Sequence, residues 1–187
     1  MALPDAPADR HREIAGVFTD RVLGARDWDA PAPVPGWAAR DVVAHLVEWF
    51  PAFLDAGAKV TLPAAPDPTT DPVGAWQAHA AAVQALLDDP KTADRVFDHP
   101  MIPGELPLAA AIDQFYISDI FMHTWDLARA TGQDERLDPD FCAALLSGME
   151  PMDEILRSSG QYGPRVPVPD DTDVQTKLIA FIGRDPS

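Results

Sequence analysis

The sequence predicts an all-α protein built as a four-helix bundle, with extra short helices and a small hairpin. Apolar residues recur at helical spacing in four long segments, and prolines and glycines separate these segments. β-branched residues are too sparse and scattered for a large sheet. The 187 residues are enough for one well-buried domain and short for two, so we expect a single domain over residues 1–187.

The N-terminal part predicts an amphipathic helix followed by a stiff loop. Apolar residues, among them Phe18, repeat at helical spacing from Asp9 to Ala25. The loop after this helix holds three closely spaced prolines and a glycine, which exclude a helix there. Trp28 and Trp37 lie in the loop, and we expect their rings to hold it against apolar surface.

The next two helices are predicted from about Ala38 to Ala56 and from Pro72 to Asp89. His45 lies in a densely apolar part of the second helix. Pro51 should kink that helix, because it removes a backbone hydrogen bond and crowds the preceding turn. His79 falls beside the apolar stripe of the third helix, and we expect it to be partly exposed.

Residues 90–107 break the helical pattern and predict a small hairpin. Two short extended segments, RVFDHP and GELPL, flank the turn sequence MIPG. His99 precedes a proline in this loop and is expected at the surface. Toward the C-terminus, further helices are predicted from Pro139 to about Arg157 and from Thr172 to Ile182.

The fourth long helix, from Leu108 to Gly132, carries polar residues in an otherwise apolar stripe. Asp119 and His123 are four residues apart, so a continuous helix places both side chains on one face. A buried carboxylate or imidazole needs a partner, because desolvation without one is costly. The pair either forms a structural hydrogen-bonded network or binds a divalent cation that satisfies both side chains.

Charge and cysteine content restrict the classes of partner. The chain has 14 basic and 30 acidic residues, a net charge of -16, which repels nucleic-acid phosphates and anionic lipid surfaces. No signal peptide or membrane-spanning run is evident, so we expect a cytoplasmic protein without nucleic-acid or membrane partners. Cys142 is the only cysteine, which excludes a cysteine-based zinc site, and we expect it to be a buried hydrophobic residue.

His45 offers the third side chain that a metal site at Asp119 and His123 would need. Neighbouring helices of a bundle can bring the three together as a site of two histidines and one carboxylate. Three protein ligands leave a coordination position open for water or a substrate atom, which is typical of a catalytic metal. Zinc is the preferred metal, and nickel, iron or manganese suit the same ligands.

Three segments carry a resemblance to a known family. PVPGWAARDVVAHLVEW, SDIFMHTWDLARATGQ and FIGRDP resemble segments of the DinB-like metal-binding family, in the branch of mycothiol-dependent maleylpyruvate isomerase N-terminal domains. The resemblance implies a DinB-like four-helix bundle. It also implies a divalent metal bound by one histidine of the second helix and by a pair of side chains four residues apart on a later helix. Those positions correspond to His45, Asp119 and His123.

The chain departs from the family pattern in three respects. Asp119 stands where the family often has Glu or His. Ala38 stands where the second helix usually begins with Thr or Ser, so that helix cap is lost. The C-terminal domain of the isomerase has no counterpart in this length, which argues against maleylpyruvate isomerisation. More generally, the resemblance implies thiol-transferase chemistry with mycothiol as co-substrate, in which a metal-bound thiolate attacks an electrophile.

Four residues near the expected site have alternative roles. Asp126 either orients an imidazole or serves elsewhere, capping a loop or pairing with Arg129. Trp49 is expected to pack in the core rather than to line a substrate wall, and Glu48 is expected to be solvated. Tyr116 shares the stripe and is a candidate for lining a cavity.

The sequence therefore leads to one main hypothesis and two alternatives. The main hypothesis is a divalent-metal-dependent thiol S-transferase that acts on a small-molecule thiol and an electrophilic substrate. The alternatives are a non-catalytic bundle that binds a metal or small molecule, and a metal-free structural or regulatory bundle. A homodimer remains open, because Trp-rich loops could support one.

Overall fold

A computed structural model describes residues 3–187 of the chain. Their contacts divide into two compact units, one of residues 4–134 and one of residues 135–187 together with Leu3. The single domain expected over residues 1–187 stays a prediction. The described chain is all-α apart from one short two-stranded sheet, which confirms the predicted fold class and the small hairpin.

The N-terminal unit contains six helices among its described residues, and they are numbered here in chain order. They are α1 (Pro7–Gly24), α2 (Ala39–Ala58), α3 (Pro72–Asp88), α4 (Pro90–Ala93), α5 (Leu108–Ala111) and α6 (Ser118–Thr131). A π-helical segment, Ile112–Ile117, joins α5 to α6 without a break. The predicted helix from Leu108 to Gly132 thus exists, but one of its turns is wider than an α-helical turn.

Four of these elements form the bundle. Helix α1 packs against α3 and α6, and α2 packs against the same two helices. His11 near the start of α1 contacts Gln84 near the end of α3, whereas Thr19 contacts Trp76, so these two helices are antiparallel. The large side chains at the centre of the bundle are fully buried; they include Phe18, Leu46, Phe50, Trp76 and Tyr116.

Local signals explain where the helices begin. The Asp71 carboxylate accepts a hydrogen bond from the Gly74 N–H at 2.9 Å, and Pro72 occupies the first position of α3. Ala38 has no side chain to cap α2. The Asp41 carboxylate instead accepts the Ala38 N–H at 2.8 Å, which retains half of a capping box and defines the helix start. Pro51 is accommodated inside α2.

The hairpin is attached to the end of α2. Strands β1 (Val96–Phe97) and β2 (Leu106–Pro107) pair antiparallel. The Asp98 N–H donates to the Gly57 carbonyl at 2.8 Å. An ideal Cβ on Gly57 would lie 2.2 Å from the Phe97 ring, so the absence of a side chain there lets the hairpin approach the helix.

The C-terminal unit contains α7 (Pro139–Met149), a 3₁₀ turn (Glu150–Met152), α8 (Asp153–Ser158) and α9 (Val174–Phe181). Helix α7 packs against α9. The helix predicted from Pro139 to about Arg157 is present as α7 and α8, and the 3₁₀ turn joins them at Pro151, which has no backbone N–H to continue the α-helical ladder. Arg157 closes the unit by donating to the Phe181 carbonyl at 2.5 Å. Among the residues described, no helix is long and apolar enough to cross a membrane.

Candidate metal centre

Helices α2 and α6 bring the three predicted ligands together. Asp119 and His123 lie one turn apart on α6, and His45 faces them from α2. One potential ligand atom from each side chain lies within 4.8 Å of the other two. Among the residues that the structure describes, this is the only group of three or more His, Cys, Asp or Glu side chains that could hold a metal ion.

The distances fit a shared divalent cation. His45 Nε2 lies 3.1 Å from Asp119 Oδ2, and His123 Nε2 lies 3.4 Å from Asp119 Oδ1. Donor atoms that bind one tetrahedral zinc at about 2.0–2.1 Å lie roughly 3.3 Å apart. Two neutral imidazoles and one carboxylate are also donors that zinc, nickel, iron and manganese accept. The residues present could therefore hold such an ion.

Exposure differs among the three side chains. The His45 side chain is 32% exposed, that of Asp119 18% and that of His123 6%. Solvent thus reaches the group from the His45 side. Burial raises the pKa of Asp119, but the neighbouring His123 and His45 and the Trp49 N–H outweigh this effect and leave that pKa below its usual value.

Asp126 holds the imidazole of His123. Its Oδ2 lies 2.8 Å from His123 Nδ1, and its side chain is fully buried. A carboxylate accepts hydrogen bonds, so Nδ1–H donates and the lone pair of Nε2 points toward Asp119. Of the roles considered from the sequence, the structure therefore shows orientation of an imidazole.

Trp49 packs against the core rings of Phe50 and Tyr116, at 5.5 and 5.8 Å, as expected, but it also contacts the ligand group. It is only half-buried, and its Nε1–H donates to Asp119 Oδ2 at 3.0 Å. Trp49 lies four residues after His45, so its indole is on the ligand face of α2. Periodicity alone does not reveal its hydrogen bond to another helix. Trp49 thus helps to fix the Asp119 carboxylate.

Trp37 is a site residue that the sequence analysis missed. Its ring centroid lies 5.2 Å from that of His45 and 5.8 Å from that of His123. The backbone N–H of Trp37 donates to the Val34 carbonyl at 3.0 Å, and Gly36 adopts a φ of 81°, so the sequence VPGW forms a tight turn. The Pro-Gly pair directly before a tryptophan was the signal for this placement.

The two other histidines considered from the sequence are more enclosed than expected. His79 is buried, because α3 directs its ring toward the rings of Phe50 and Tyr116. Burial, together with the charge of His11, lowers the pKa of His79 to about 4. His99 is half-buried, because its ring packs against Phe53 at 5.1 Å. Neither belongs to the ligand group.

Three remaining candidates lie where their surroundings exclude a ligand role. Glu48 is exposed, as predicted. Tyr116 is fully buried and stacks on Phe50 at 3.8 Å, so it belongs to the core. Cys142 is buried as predicted, and burial raises the pKa of its thiol to about 12.

Comparison with known proteins identifies the family of this chain. The model of the family described as "Mycothiol maleylpyruvate isomerase N-terminal domain" matches residues 10–128, which is more than half of the chain. The chain belongs to this family. It is a DinB-like family related to mycothiol, and the match includes His45, Asp119, His123 and Asp126.

Relatives of this family member are found in mycobacteria. Two uncharacterized proteins of Mycobacterium tuberculosis, one from strain CDC 1551 / Oshkosh and one from strain ATCC 25618 / H37Rv, are each 29% identical to it over 180 residues. These alignments cover 91% of this chain and 89% of each relative. No solved structure gives a significant match.

Proposed function

We propose that the protein is a cytoplasmic, divalent-metal-dependent thiol S-transferase, which joins a low-molecular-weight thiol through its sulfur to an electrophilic substrate. His45, Asp119 and His123 are the proposed ligands, zinc is the first choice of metal, and mycothiol is the thiol that the family suggests. The observation that carries the proposal is the convergence of these three donors at a position open to solvent on one side.

The residues around the ligands have roles that suit this chemistry. A bound divalent cation supplies Lewis acidity, which lowers the pKa of a thiol that binds to it. Asp126 holds the His123 imidazole, and the Trp49 N–H holds the Asp119 carboxylate. The Trp37 ring packs against both imidazoles and so supports their orientation.

The reaction forms a sulfur–carbon bond. The thiol gives its proton to solvent, its sulfur bonds to the electrophilic carbon, and the leaving group departs with the bonding electron pair. No protein nucleophile is needed for this step. Cys142, the only cysteine, has a buried thiol with a raised pKa and lies in the C-terminal unit.

The alternative is a non-catalytic bundle that binds a metal or a small molecule. It is favoured by one observation: Glu48, which is three residues after His45 and the nearest acidic side chain to it on α2, is exposed. An exposed carboxylate is a poor candidate for a general base, because solvent surrounds it and no neighbouring group among the described residues positions it toward the ligands. Turnover measurements separate the two functions.

The first experiment measures metal content. Protein purified without a histidine tag is analysed for elements, and we expect about one divalent metal per chain, as for a three-ligand site. The variants His45→Ala and His123→Ala should lose it, whereas His99→Ala, a matched change in the hairpin loop, should retain it. Substoichiometric metal that the first two variants leave unchanged would contradict the ligand assignment.

The second experiment measures conjugation of a panel of thiols, including mycothiol, to monobromobimane. We expect turnover that chelation abolishes and that added zinc restores. Metal binding without metal-dependent turnover of any thiol in the panel would favour the binding protein over the enzyme.

A further inference from the structure

A row of aromatic rings continues from the ligand group along α2. His45, Trp49 and Phe53 follow one another at intervals of four residues, so they share one face of the helix. This face is distinct from the buried one, which holds Leu46 and Phe50. All three aromatic residues are half-buried, so they are accessible to a small molecule.

The hairpin and the π-helical segment add rings to the far end of this row. Phe53 lies 5.1 Å from His99 and 5.5 Å from Phe115, measured between ring centroids. Both of these residues are half-buried as well. The aromatic strip is defined here as His45, Trp49, Phe53, His99 and Phe115.

The strip differs from the neighbouring core. Phe50 lies beside it in sequence but is fully buried and stacks on Tyr116 at 3.8 Å. The rings of Trp49 and Phe53 contact each other edge to face, with centroids 5.4 Å apart at an angle of 68°. Aromatic pairs favour offset-stacked or edge-to-face contacts at 4.5–7 Å, so the exposed parts of these half-buried rings suit contact with a third, flat ring.

We propose that the electrophile bound by this protein carries an aromatic ring, which packs against Trp49 and Phe53. The inference rests on the proposed function, because it names the substrate class of the same site. An α-helix rises about 1.5 Å per residue, so Trp49 and Phe53 lie roughly 6 and 12 Å along α2 from His45. In the proposed substrate the reacting carbon belongs to the ring or is bonded directly to it, so that the ring reaches the strip while the carbon stays near His45.

The step is nucleophilic substitution at such an aryl or benzyl carbon. The thiol sulfur forms a bond to this carbon, the S–H proton passes to solvent, and a halide or comparable leaving group takes the electron pair of the broken bond. The product is an S-aryl or S-benzyl conjugate, which should bind to the strip through the same ring.

Binding of two model conjugates tests the inference without requiring turnover. The probes are S-(2,4-dinitrophenyl)-N-acetylcysteine and S-methyl-N-acetylcysteine, which carry the same charge. Their dissociation constants are measured calorimetrically with the full-length protein supplied with zinc. We expect the aryl conjugate to bind at least about ten-fold more tightly, because its ring makes aromatic contacts with two side chains that a methyl group cannot make.

Variants locate the preference. Phe53→Leu keeps apolar volume but removes the ring, and it should reduce the preference to about three-fold or less. Phe115→Leu is a second variant, and we expect it to reduce the preference for the aryl conjugate by a smaller factor. Phe141→Leu, the same change on α7, should leave the preference intact. Circular dichroism identifies any variant that fails to fold, in which case the other strip variant decides.

Equal dissociation constants for the two conjugates would overturn the inference, as would a preference that both strip variants retain. These outcomes differ from failure of the proposed function. If no thiol is turned over but the aryl preference depends on Phe53, the strip is a binding site in a non-catalytic protein. If thiols are turned over without any aryl preference, the enzyme stands and the substrate class is wrong.

Discussion

Asp126 accepts a hydrogen bond from His123 at 2.8 Å, one helical turn along α6 and out of contact with solvent. This bond fixes which nitrogen of His123 faces Asp119 and His45. The carboxylate thus acts on the candidate metal centre without contributing a ligand atom to it.

Asp126→Asn should weaken metal binding without abolishing it. Loss of a carboxylate partner to a ligating imidazole typically costs 10–100-fold in metal affinity, and we expect about that range here. Competition with a chromophoric chelator measures the affinity. Glu48→Gln, an exposed acid-to-amide change near His45, serves as the matched control and should stay within about two-fold. Equal affinity in both variants would contradict the orienting role.

Trp49→Phe should lower metal affinity through Asp119. The variant keeps a ring but removes the N–H that donates a hydrogen bond to Asp119 at 3.0 Å. A hydrogen bond to a charged group is worth about 1.5–3 kcal/mol. We expect a loss of roughly ten-fold in the same competition assay. Trp37→Phe makes the same replacement over the two imidazoles without removing a bond to Asp119. If Trp37→Phe lowers affinity as much as Trp49→Phe, ring packing is responsible and not the hydrogen bond.

His79 should make the fold sensitive to acid. Burial, with the charge of His11, lowers its pKa in the folded state to about 4, below the ordinary value of 6.5. The unfolded chain therefore binds a proton first as the pH falls. The contribution of neutral His79 to the unfolding free energy is present in full above pH 6.5. It is lost progressively toward pH 4, by up to about 3 kcal/mol.

Urea unfolding of wild type and His79→Leu from pH 7.5 to pH 4, with chelator present, measures this contribution. The unfolding free energy of wild type minus that of His79→Leu should decrease as the pH falls through this window, because only wild type loses stability by protonation of His79. His99→Leu, which replaces the half-buried histidine of the hairpin loop, provides the comparison. A difference for His79→Leu that does not vary with pH would refute the prediction.

Gly57→Ala should destabilise the fold by displacing the hairpin. The new methyl group would meet the ring of Phe97, which is buried and cannot move freely, so we expect a loss of about 1–3 kcal/mol. Gly16→Ala is the matched change in α1, where nothing lies within 4 Å, and it should stabilise by up to about 1 kcal/mol. Thermal unfolding measures both, and two variants of equal stability would exclude the clash.

The sequence predicted the helices of the bundle and the convergence of the ligand candidates, because both follow from short-range periodicity and from the family pattern. Residues whose roles depend on packing were predicted less well. His79 lies beside a helical stripe in projection, yet the neighbouring helix α2 covers it with Phe50. Helical periodicity describes one helix and does not show how much of its surface the neighbouring helices cover.

Trp37 and Trp49 illustrate the same limit at the candidate site. Each was assigned a packing role from its apolar surroundings in the sequence. Each contacts a ligand that lies 70 or more positions away in the sequence. Trp49 contacts Asp119, and Trp37 contacts His123. Only the folded chain brings such pairs together, so their roles could not be predicted without it.

The π-helical segment Ile112–Ile117 determines the direction in which the ligands of α6 point. A π-helical turn contains about one residue more than an α-helical turn, and each residue of an α-helix rotates the chain by about 100°. Loss of one residue within this segment would therefore rotate Asp119 and His123 away from His45 while leaving every ligand in the sequence. In relatives of this protein, the number of residues in this turn is as informative about metal binding as the identity of the ligands.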